Sequence, residues 1–217
     1  MSLSKWREAK LKLCTDFPEH LFYFAFVNNF ENILKLGILP QNEVKKRNLE
    51  YTSFAETEVQ LFRSRTLIYQ SGHKDKKFYL HDFVPLYFTS KTPTLYKRKE
   101  YQKNFLFFKI NSKNLIIDEQ TQFAFCDGNA GSLFTKFYHN LDQLNQIDWK
   151  IINAEFWNKD IDGKRRRNAE FLIYQELPLK FIDEIILYNN DNYDILRGLL
   201  NKYKVNINLT IDAKLFF

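Results

Sequence analysis

One glutamate stands where a run of cations meets an apolar segment. Glu170 follows the KRRR run at residues 164–167 and directly precedes the apolar residues 171–174. A carboxylate at such a junction has a fixed backbone and can face a cleft, where it can stabilise an oxocarbenium-like transition state or take a proton from an attacking nitrogen. It can equally be a surface glutamate on an edge strand, paired with Arg166 or Arg167. The residues alone leave both interpretations open.

The cations near Glu170 favour a polyanionic ligand. The run can follow the phosphates of a single strand or simply be solvated, and the cations within residues 74–77 and 97–99 can extend it. Arg63 is a further candidate, because the planar fork of a guanidinium binds two diphosphate oxygens at once. Its spacing also allows Arg63, like Arg65, to be the solvated face of a short helix. The members of the run are Lys164, Arg165, Arg166 and Arg167.

Motifs of several other enzyme classes are missing from the sequence. It contains no GxxxxGK[ST] and no GxGxxG, so the standard glycine-rich phosphate loops are absent. The four histidines are scattered, without HExxH or CxxC patterns, and no GxSxG occurs, so no metal site is expected. Residues 128–131 spell GNAG, the letters of an RNA-binding GXXG loop, but a turn after a strand explains them better. Residues 43–45 have the ExK letters of many nucleases, in an expected loop.

Length and composition indicate one soluble, cytoplasmic domain over residues 1–217. A domain usually has about 150 residues, and 32 Lys+Arg against 26 Asp+Glu give a net charge of +6. The 22 Phe, 12 Tyr and 3 Trp, with only six glycines, argue against disorder. Two isolated cysteines favour a reducing compartment. No apolar run approaches the ~18 residues of a membrane span, so no membrane partner is expected.

Hydrophobic spacing predicts interspersed helices and strands. Residues 21–27 are apolar throughout, which is typical of a strand buried on both faces. Asn29 is a good N-cap for a helix that Gly37 ends. Residues 130–157 have apolar side chains at helical spacing, and residues 160–167 form a charged loop. Since βα units do not alternate regularly, the fold class is α+β. Other strands are expected at 83–89, 104–110, 122–126, 171–174, 181–188 and 205–211, other helices at 55–65 and 193–203, and a loop at 71–77.

Six segments in one order resemble the DarT family of DNA ADP-ribosyltransferase toxins. The family patterns are YHxTHxxN, xQxxR, HDYVPFYF followed by SPMLY, DRH or DGNA, LDW, and KRxAEFLV. The resemblance extends from about residue 21 to 188, most of the chain, and the linked motifs in register make it specific. The matching segments are residues 22–32, 59–63, 81–88 with Pro93 and Tyr96, 125–130, 148–149 and 164–174.

This resemblance implies a fold, a reaction and a partner. The fold is a single-domain α+β ADP-ribosyltransferase domain with split, mixed β-sheets around a NAD cleft. The family transfers ADP-ribose from NAD, its co-substrate, onto thymine or guanine in single-stranded DNA, and no metal is expected. A DarG-like macrodomain antitoxin that removes the modification is implied as a partner.

The resemblance also assigns residues to the site. Glu170 matches the catalytic glutamate, and Arg63 matches an arginine that is both catalytic and in contact with NAD. The turn that holds the dinucleotide corresponds to Tyr23, Phe24, Ala25 and Asn32. The residues expected at the DNA substrate are His81, Tyr87, Asn129, Lys164, Arg165, Arg166 and Arg167.

The chain departs from the family patterns at two places. The paired histidines of the first strand are Tyr23 and Phe26 here, of which only Tyr23 can still form a side-chain hydrogen bond. Asp127-Gly128-Asn129 follows the DGN variant rather than DRH, a weak indication of the guanine-modifying branch. The base therefore stays open. Two other functions also stay open: RNA or protein as the acceptor at the same site, and a non-catalytic module that binds single strands.

Overall fold

The structure is a computed structural model that describes residues 2–53, 57–70 and 77–217. Over these residues, no helix is both long enough and apolar enough to cross a membrane. The helices are α1 (Leu3–Leu13), α2 (Phe30–Leu36), α3 (Gln41–Lys46), α4 (Thr57–Arg65), α5 (Pro93–Tyr96), α6 (Ser112–Ile117), α7 (Trp149–Asn153), α8 (Gly163–Arg167) and α9 (Tyr193–Lys202). The strands are β1 (His20–Phe26), β2 (Leu67–Gln70), β3 (Lys77–Tyr79), β4 (Phe83–Tyr87), β5 (Phe105–Asn111), β6 (Phe123–Cys126), β7 (Phe137–Tyr138), β8 (Glu170–Tyr174), β9 (Ile182–Leu187) and β10 (Asn208–Ile211).

A mixed sheet organises the described part of the chain. Its eight strands have the order β10-β9-β5-β1-β4-β8-β6-β7, and β2 and β3 form a separate two-stranded sheet. Neighbouring strands are antiparallel except β10 and β9, which are parallel. β1 pairs with β5 along its whole length, from His20 opposite Asn111 to Phe26 opposite Phe105.

The sheet opens between β1 and β4. These two strands share the single residue pair Phe22 and Tyr87. On its other side, β4 pairs continuously with β8, from Phe83 opposite Tyr174 to Tyr87 opposite Glu170. The opening, which we call the seam, divides the sheet into a β10-β9-β5-β1 half and a β4-β8-β6-β7 half. This is the split, mixed arrangement that the resemblance predicts.

Both faces of the central strands are buried because their side chains alternate between two hydrophobic clusters. Leu106 and Phe108 of β5 enter the larger cluster, whereas Phe105 and Phe107 enter the smaller one on the opposite face. In β1, Leu21 and Ala25 pack with the first cluster and Phe24 with the second. Since burial of one such large side chain contributes about 1.5–3 kcal/mol, this doubly buried pair of strands fixes one wall of the seam.

Residues 130–157 do not form the predicted helix. This segment contains β7, a 3₁₀ turn over Leu141–Gln146 and the short helix α7. The side chains of Asn140 and Asp148 accept hydrogen bonds from the backbone N–H groups of Asp142 and Ile151. Each of these polar side chains starts a new turn and so interrupts a continuous helix. The apolar residues of this segment reach the core from separate turns, although their spacing in the sequence is the same as that of a helix.

Shorter segments also differ from the predictions. Part of the charged loop forms α8, and residues 43–45 lie in α3 rather than in a loop. Asn29 makes no N-cap hydrogen bond to α2. Its side chain instead exchanges two hydrogen bonds of 2.8 Å with the backbone of Thr52. Gly37 does end α2, with φ of 75°. The loop at 71–77 lies outside the described residues except for Lys77, as do residues 55 and 56 of the helix predicted at 55–65.

The sequence-based prediction does not include helix α1, which a buried cation anchors to the rest of the fold. Arg7 is 9% exposed and donates hydrogen bonds to the carbonyl oxygens of Ile116, Asp118 and Thr121 at 3.0, 2.8 and 3.1 Å. A buried guanidinium is stable only when its donors are satisfied, and here three carbonyls satisfy them. Hydrophobic spacing contains no signal for such an anchor.

Candidate active site

A cleft lies at the seam, with a volume of about 310 Å³. This volume is within the usual range for small-molecule sites. β1 contributes Tyr23, Phe24 and Ala25 to its lining, β4 contributes Tyr87, and β8 contributes Glu170. The opening between β1 and β4 therefore creates the space that the resemblance assigns to a ligand.

Glu170 and Arg63 form a two-pronged ion pair in this cleft. Arg63 Nη1 donates to Glu170 Oε1 at 3.1 Å, and Nη2 donates to Oε2 at 3.0 Å. The side chains are 1% and 14% exposed, respectively. The backbone N–H of Ala130 also donates to Oε1, at 3.1 Å. Because two parallel N–H···O bonds define the plane of a carboxylate, Glu170 is held in one orientation.

A tight loop places the backbone N–H group of Ala130 next to the Glu170 carboxylate. Arg165 fills the space beside Gly128, where a Cβ atom would lie 2.3 Å from Arg165 Nη1. The Asn129 side chain accepts a hydrogen bond from the N–H of Gly131 at 2.8 Å, and Asn129 also lines the cleft. This turn therefore requires glycine at residue 128, and it places the loop's backbone donor on the carboxylate.

The charges in the cleft set the protonation of its side chains. Burial alone lowers the pKa of the Arg63 guanidinium, but the charge of Glu170 and its hydrogen bonds outweigh burial and raise that pKa above its ordinary value. Burial, followed by the charge of Glu170, raises the pKa of Tyr87. Burial likewise raises the pKa of Tyr23 to about 12. Both phenols are therefore neutral near neutral pH, and Arg63 is a permanent cation.

His81 is a buried, neutral imidazole at the cleft. It is 3% exposed, and neither ring nitrogen has a hydrogen-bond partner within the described part of the chain. Burial and then the charges of Arg63 and Lys45 lower its pKa to about 4. The neighbouring turn is held by Asp82 instead, which accepts a hydrogen bond from the N–H of Tyr79 at 2.9 Å. One donor and one acceptor of the ring are thus available to a ligand.

Most of the predicted site residues line this cleft, but Asn32 does not. It lies in a smaller adjoining hollow of about 60 Å³, and its side chain donates to the carbonyl oxygen of Glu50 at 3.1 Å. The predicted residues that the cleft brings together are Tyr23, Phe24, Ala25, Arg63, His81, Tyr87, Asn129, Lys164 and Glu170.

Two arginines of the cationic run are paired with acids. Arg165 forms ion pairs with Asp162 at 2.6 Å and with Asp127 at 2.9 Å. Arg166 forms ion pairs with Asp148 and with Asp160. The charges of these two arginines are therefore neutralised within the fold. The expectation that both face DNA phosphates stays a prediction, and in this structure both guanidinium groups face carboxylates of the fold.

The other two cations of the run have opposite environments. Arg167 is 5% exposed and donates to the carbonyl oxygens of Lys91, Ile151 and Ala154 at 3.0, 2.8 and 2.8 Å. Its donors are therefore used within the fold. Lys164, in contrast, is exposed and lines the cleft. Of the four cations of the run, Lys164 is thus the one that lines the cleft.

The cleft also contains residues that the sequence-based prediction missed. Asn29 and Tyr51 line it. No motif marks Tyr51, but the final asparagine of YHxTHxxN, read in register with its histidine positions at residues 23 and 26, falls on Asn29. Thr94 and Asn168 line it as well, next to residues that were matched. Thr94 follows Pro93 directly, and Asn168 is the variable position of the KRxAEFLV pattern. Inclusion of the variable positions of each motif would have found this second pair.

The geometry suits chemistry on a phosphorylated sugar. A permanent cation can bind phosphate oxygens, and an oriented carboxylate can stabilise positive charge on a carbon or accept a proton. The neutral groups of Tyr23, Tyr87 and His81 can form hydrogen bonds to a polar ligand. Across the described ranges, no three His, Cys, Asp or Glu side chains are grouped so that they could hold a metal ion.

Comparison with known proteins places these observations in a family. The family described as "ssDNA thymidine ADP-ribosyltransferase, DarT" matches residues 22–217. The chain is 28% identical over 181 residues to the DNA ADP-ribosyl transferase of Thermus sp. (strain 2.9), which covers 79% of this chain and 82% of the relative. It is 31% identical over 145 residues to that of Escherichia coli O127:H6, with 62% and 64% covered.

Solved structures of DarT from Thermus sp. 2.9 have the same fold. The complex with ADP-ribosylated ssDNA superposes with a TM-score of 0.81 at 23% identity and covers 92% of this chain and 97% of that chain. The complex with NAD+ gives a TM-score of 0.76 at 21% identity, with 92% and 98% covered. The family match begins in β1 and includes both Arg63 and Glu170. The chain therefore belongs to the DarT family of single-stranded-DNA thymidine ADP-ribosyltransferases, which confirms the resemblance found in its sequence.

Proposed function

We propose that the protein transfers one ADP-ribose unit from NAD to thymine in single-stranded DNA, with Glu170 and Arg63 as its catalytic residues. The observation that carries this proposal is the buried Glu170 carboxylate, clamped by Arg63 inside the cleft at the seam. The family description names thymidine, and the DarT of Thermus sp. 2.9 was solved with NAD+ and with ADP-ribosylated ssDNA. These relatives favour thymine over guanine.

NAD lies along the β1 wall of the cleft, against Tyr23, Phe24 and Ala25. Arg63 donates one hydrogen bond from each terminal nitrogen to Glu170. A guanidinium has five N–H groups, so it can hold the carboxylate and bind NAD oxygens at the same time. Tyr23 lines both the cleft and the hollow that contains Asn32. The dinucleotide therefore meets Asn32 where it extends past Tyr23 into that hollow.

Glu170 acts on the sugar carbon and then on the attacking base. The bond between ribose C1′ and the nicotinamide nitrogen breaks, and its electron pair leaves with neutral nicotinamide. The carboxylate stabilises the positive charge that develops on the ribose. Thymine N3, the one ring nitrogen of thymidine that carries a hydrogen, attacks C1′. Its proton passes to Glu170, which releases it to water. The products are ADP-ribosylated thymine, nicotinamide and one proton.

The DNA strand enters from the side of Lys164, whose exposed ammonium group binds a phosphate. Asn129 uses its side-chain oxygen for the loop, which leaves its NH₂ group free to donate to the base. His81 and Tyr87 are neutral and complete a polar lining around it. A single strand suits this cleft because its bases are already unstacked, so no duplex has to be opened.

The direct test is a mass measurement of oligonucleotides incubated with NAD and the purified protein. An oligonucleotide that contains thymine should gain one ADP-ribose unit, and one in which every thymine is replaced by cytosine should gain none. Glu170→Gln should abolish the gain. Glu176→Gln is the matched control, because Glu176 is a glutamate whose side chain is half exposed. A gain on oligonucleotides that contain guanine but lack thymine would overturn the choice of base.

Nicotinamide release separates the remaining alternatives. If RNA or a protein is the acceptor at the same site, nicotinamide is released only when that acceptor is added, and DNA stays unmodified. If the protein is a non-catalytic module, it binds single strands in a salt-dependent way and releases no nicotinamide with any acceptor. Either result would contradict transfer to DNA and would leave the family assignment intact.

A glycohydrolase that reverses the modification is the expected partner. The chain is 24% identical over 198 residues to a DNA ADP-ribosyl transferase–DNA ADP-ribosyl glycohydrolase fusion protein of Thermosipho africanus, and it spans 49% of that protein. We infer that the present protein is a toxin that acts on cytoplasmic DNA and is countered by a DarG-like macrodomain. Expression alone should arrest growth, and co-expression of such a macrodomain should restore it.

A further inference from the structure

Three aromatic rings form a cluster beside the cleft. Tyr96 and Trp157 meet edge to face with ring centroids 5.9 Å apart. Phe217 lies 5.1 Å from Tyr96 and 5.9 Å from Trp157, also edge to face. Tyr96 is 48% exposed although it belongs to the cluster. We call Tyr96, Trp157 and Phe217 the aromatic shelf.

Cations lie over the rings of the shelf. Lys99 Nζ is 4.5 Å from the centroid of Tyr96, and Lys91 Nζ is 5.8 Å from that of Phe217. The guanidinium of Arg167 is 5.9 Å from the ring of Trp157, but backbone carbonyls hold its donors, so the cations of the shelf that can meet phosphates are Lys91 and Lys99. Alternation of aromatic faces with cations is the composition that binds single-stranded nucleic acid, because bases stack on the rings while phosphates meet the charges.

The shelf is tied to the catalytic carboxylate through the residues just before it. Asn168 Oδ1 accepts hydrogen bonds from the N–H of Thr94 at 3.2 Å and from its hydroxyl at 2.9 Å, and Thr94 lies in α5 with Tyr96. Arg167 donates to the carbonyl oxygens of Lys91 and Ala154, which precede Tyr96 and Trp157 in the chain. Residues 167 and 168 therefore fix the distance between the shelf and Glu170.

We propose that the aromatic shelf binds nucleotides that flank the modified base, with at least one flanking base stacked on the exposed side of Tyr96. This proposal rests on the proposed function and adds a binding surface outside the cleft. The shelf adjoins the cleft directly, because Pro93, Thr94 and Lys97 of the same segment line it. A strand whose target base enters the cleft next to α5 can continue over Tyr96.

Single-stranded DNA fits this surface better than a protein partner does. The exposed aromatic surface is small and is bordered by lysines at 91, 97 and 99, whereas the centres of protein–protein interfaces are depleted in lysine. The shelf also belongs to the part of the fold that carries Glu170, so a base stacked on it lies at a fixed distance from the catalytic carboxylate. Each stacked base contributes about a five- to hundredfold increase in affinity.

The test compares Tyr96→Ala and Tyr96→Phe on two oligonucleotides that both contain one central thymine. One has normal bases on both sides, and the other has abasic sugars at the flanking positions, so that its phosphates are kept and its stacking is lost. For the first oligonucleotide, Tyr96→Ala should raise KM about tenfold with kcat unchanged. For the second, KM should be equally high for the wild type and for Tyr96→Ala. Tyr96→Phe should behave as the wild type.

Tyr193→Ala is the matched control, because Tyr193 also carries a cation over its ring, Arg197 at 5.7 Å, but lies on α9, outside the residues that line the cleft. It should leave both KM values unchanged. Equal losses by Tyr96→Ala on both oligonucleotides, or no loss on either, would overturn the stacking role. Binding of the oligonucleotides without NAD, followed by fluorescence anisotropy, tests the shelf even if no transfer occurs. Equal affinity of the wild type and Tyr96→Ala for the unmodified strand would then exclude the shelf, whatever the fate of the proposed reaction.

Discussion

Arg63 and Glu170 are 107 residues apart in the chain, yet their side chains meet through two hydrogen bonds of 3.1 and 3.0 Å. The carboxylate is buried and the guanidinium nearly so. Charges buried in this way are stable only as a pair, because removal of one partner leaves the other without compensation at a cost of about 3–5 kcal/mol. The ion pair therefore fixes the direction of the carboxylate within the cleft.

Replacement of Arg63 by lysine should show that the fork matters and not only the charge. Lysine offers a point charge and cannot form two parallel hydrogen bonds to one carboxylate. We expect Arg63→Lys to lower kcat/KM for transfer by roughly 30- to 1000-fold, about 2–4 kcal/mol of transition-state stabilisation. Arg65→Lys, an exposed neighbour in α4, should change it less than twofold. Similar activity of the two variants would argue against the orienting role of Arg63.

A methyl group at Gly128 should disturb the loop that reaches Glu170. In Gly128→Ala the new Cβ would lie 2.3 Å from Arg165 Nη1 and 2.9 Å from its Cγ, so Arg165 must move away from Asp127. We expect the N–H of Ala130 to leave the carboxylate and transfer to fall at least about tenfold.

Gly198→Ala provides the matched control for that substitution. A Cβ at Gly198 meets nothing within 4 Å, and the residue lies within α9. Alanine there should raise the free energy of unfolding by about 0.5–1 kcal/mol with unchanged transfer, because glycine weakens helices. Thermal unfolding and transfer assays check both variants. Normal activity of Gly128→Ala would show that the loop tolerates the displacement of Arg165.

His81 should make stability depend on pH between about 4 and 6.5. Its pKa falls from 6.5 to about 4 on folding, so the unfolded chain binds more protons in this window. The stabilisation is complete above pH 6.5 and is lost as the pH falls towards 4, by up to about 3 kcal/mol. His81→Gln should flatten this part of the curve of melting temperature against pH. The carboxylates titrate in both proteins, so the difference isolates the imidazole, and parallel curves would contradict its neutral state.

The four cations at 164–167 should separate into one DNA contact and three structural residues. Lys164→Gln should reduce the slope of log affinity against log salt by about 0.7, the value for one phosphate contact on a single strand, with unchanged melting temperature. Arg166→Gln should keep the slope and lower the melting temperature, because it releases Asp148. A changed slope in Arg166→Gln would restore that residue to the DNA interface.

The sequence predicts those parts of the fold that depend on continuous patterns. The strands around residues 21–27, 83–89 and 104–110 match β1, β4 and β5, because apolar runs of strand length have few other uses in a soluble domain. Glu170 and Arg63, which the resemblance assigns to the site, both line the cleft. Their contact is not visible in hydrophobic spacing, since it joins a helix and a strand that are 107 residues apart in the chain.

Polar partners explain what the sequence does not predict. Arg165, Arg166 and Arg167 look like a solvated or DNA-binding patch until Asp127, Asp148 and backbone carbonyls are placed beside them. Residue type alone cannot distinguish a cation that awaits a phosphate from one that is already paired. Asn32, whose side chain donates to the carbonyl oxygen of Glu50, illustrates the same limit.

Pro85 shows what the seam means for the sheet as a whole. It lies within β4, in the middle of an eight-stranded order, where proline is normally excluded because it has no N–H group to give. Since β4 and β1 pair only at Phe22 and Tyr87, no ladder bond is required of Pro85 on that side. β1 and β4 thus each present a largely unpaired edge inside the strand order, at the cleft, rather than at the outer ends of the sheet. A proline within an apolar strand pattern can therefore indicate, from the sequence alone, a strand edge that lies inside a sheet.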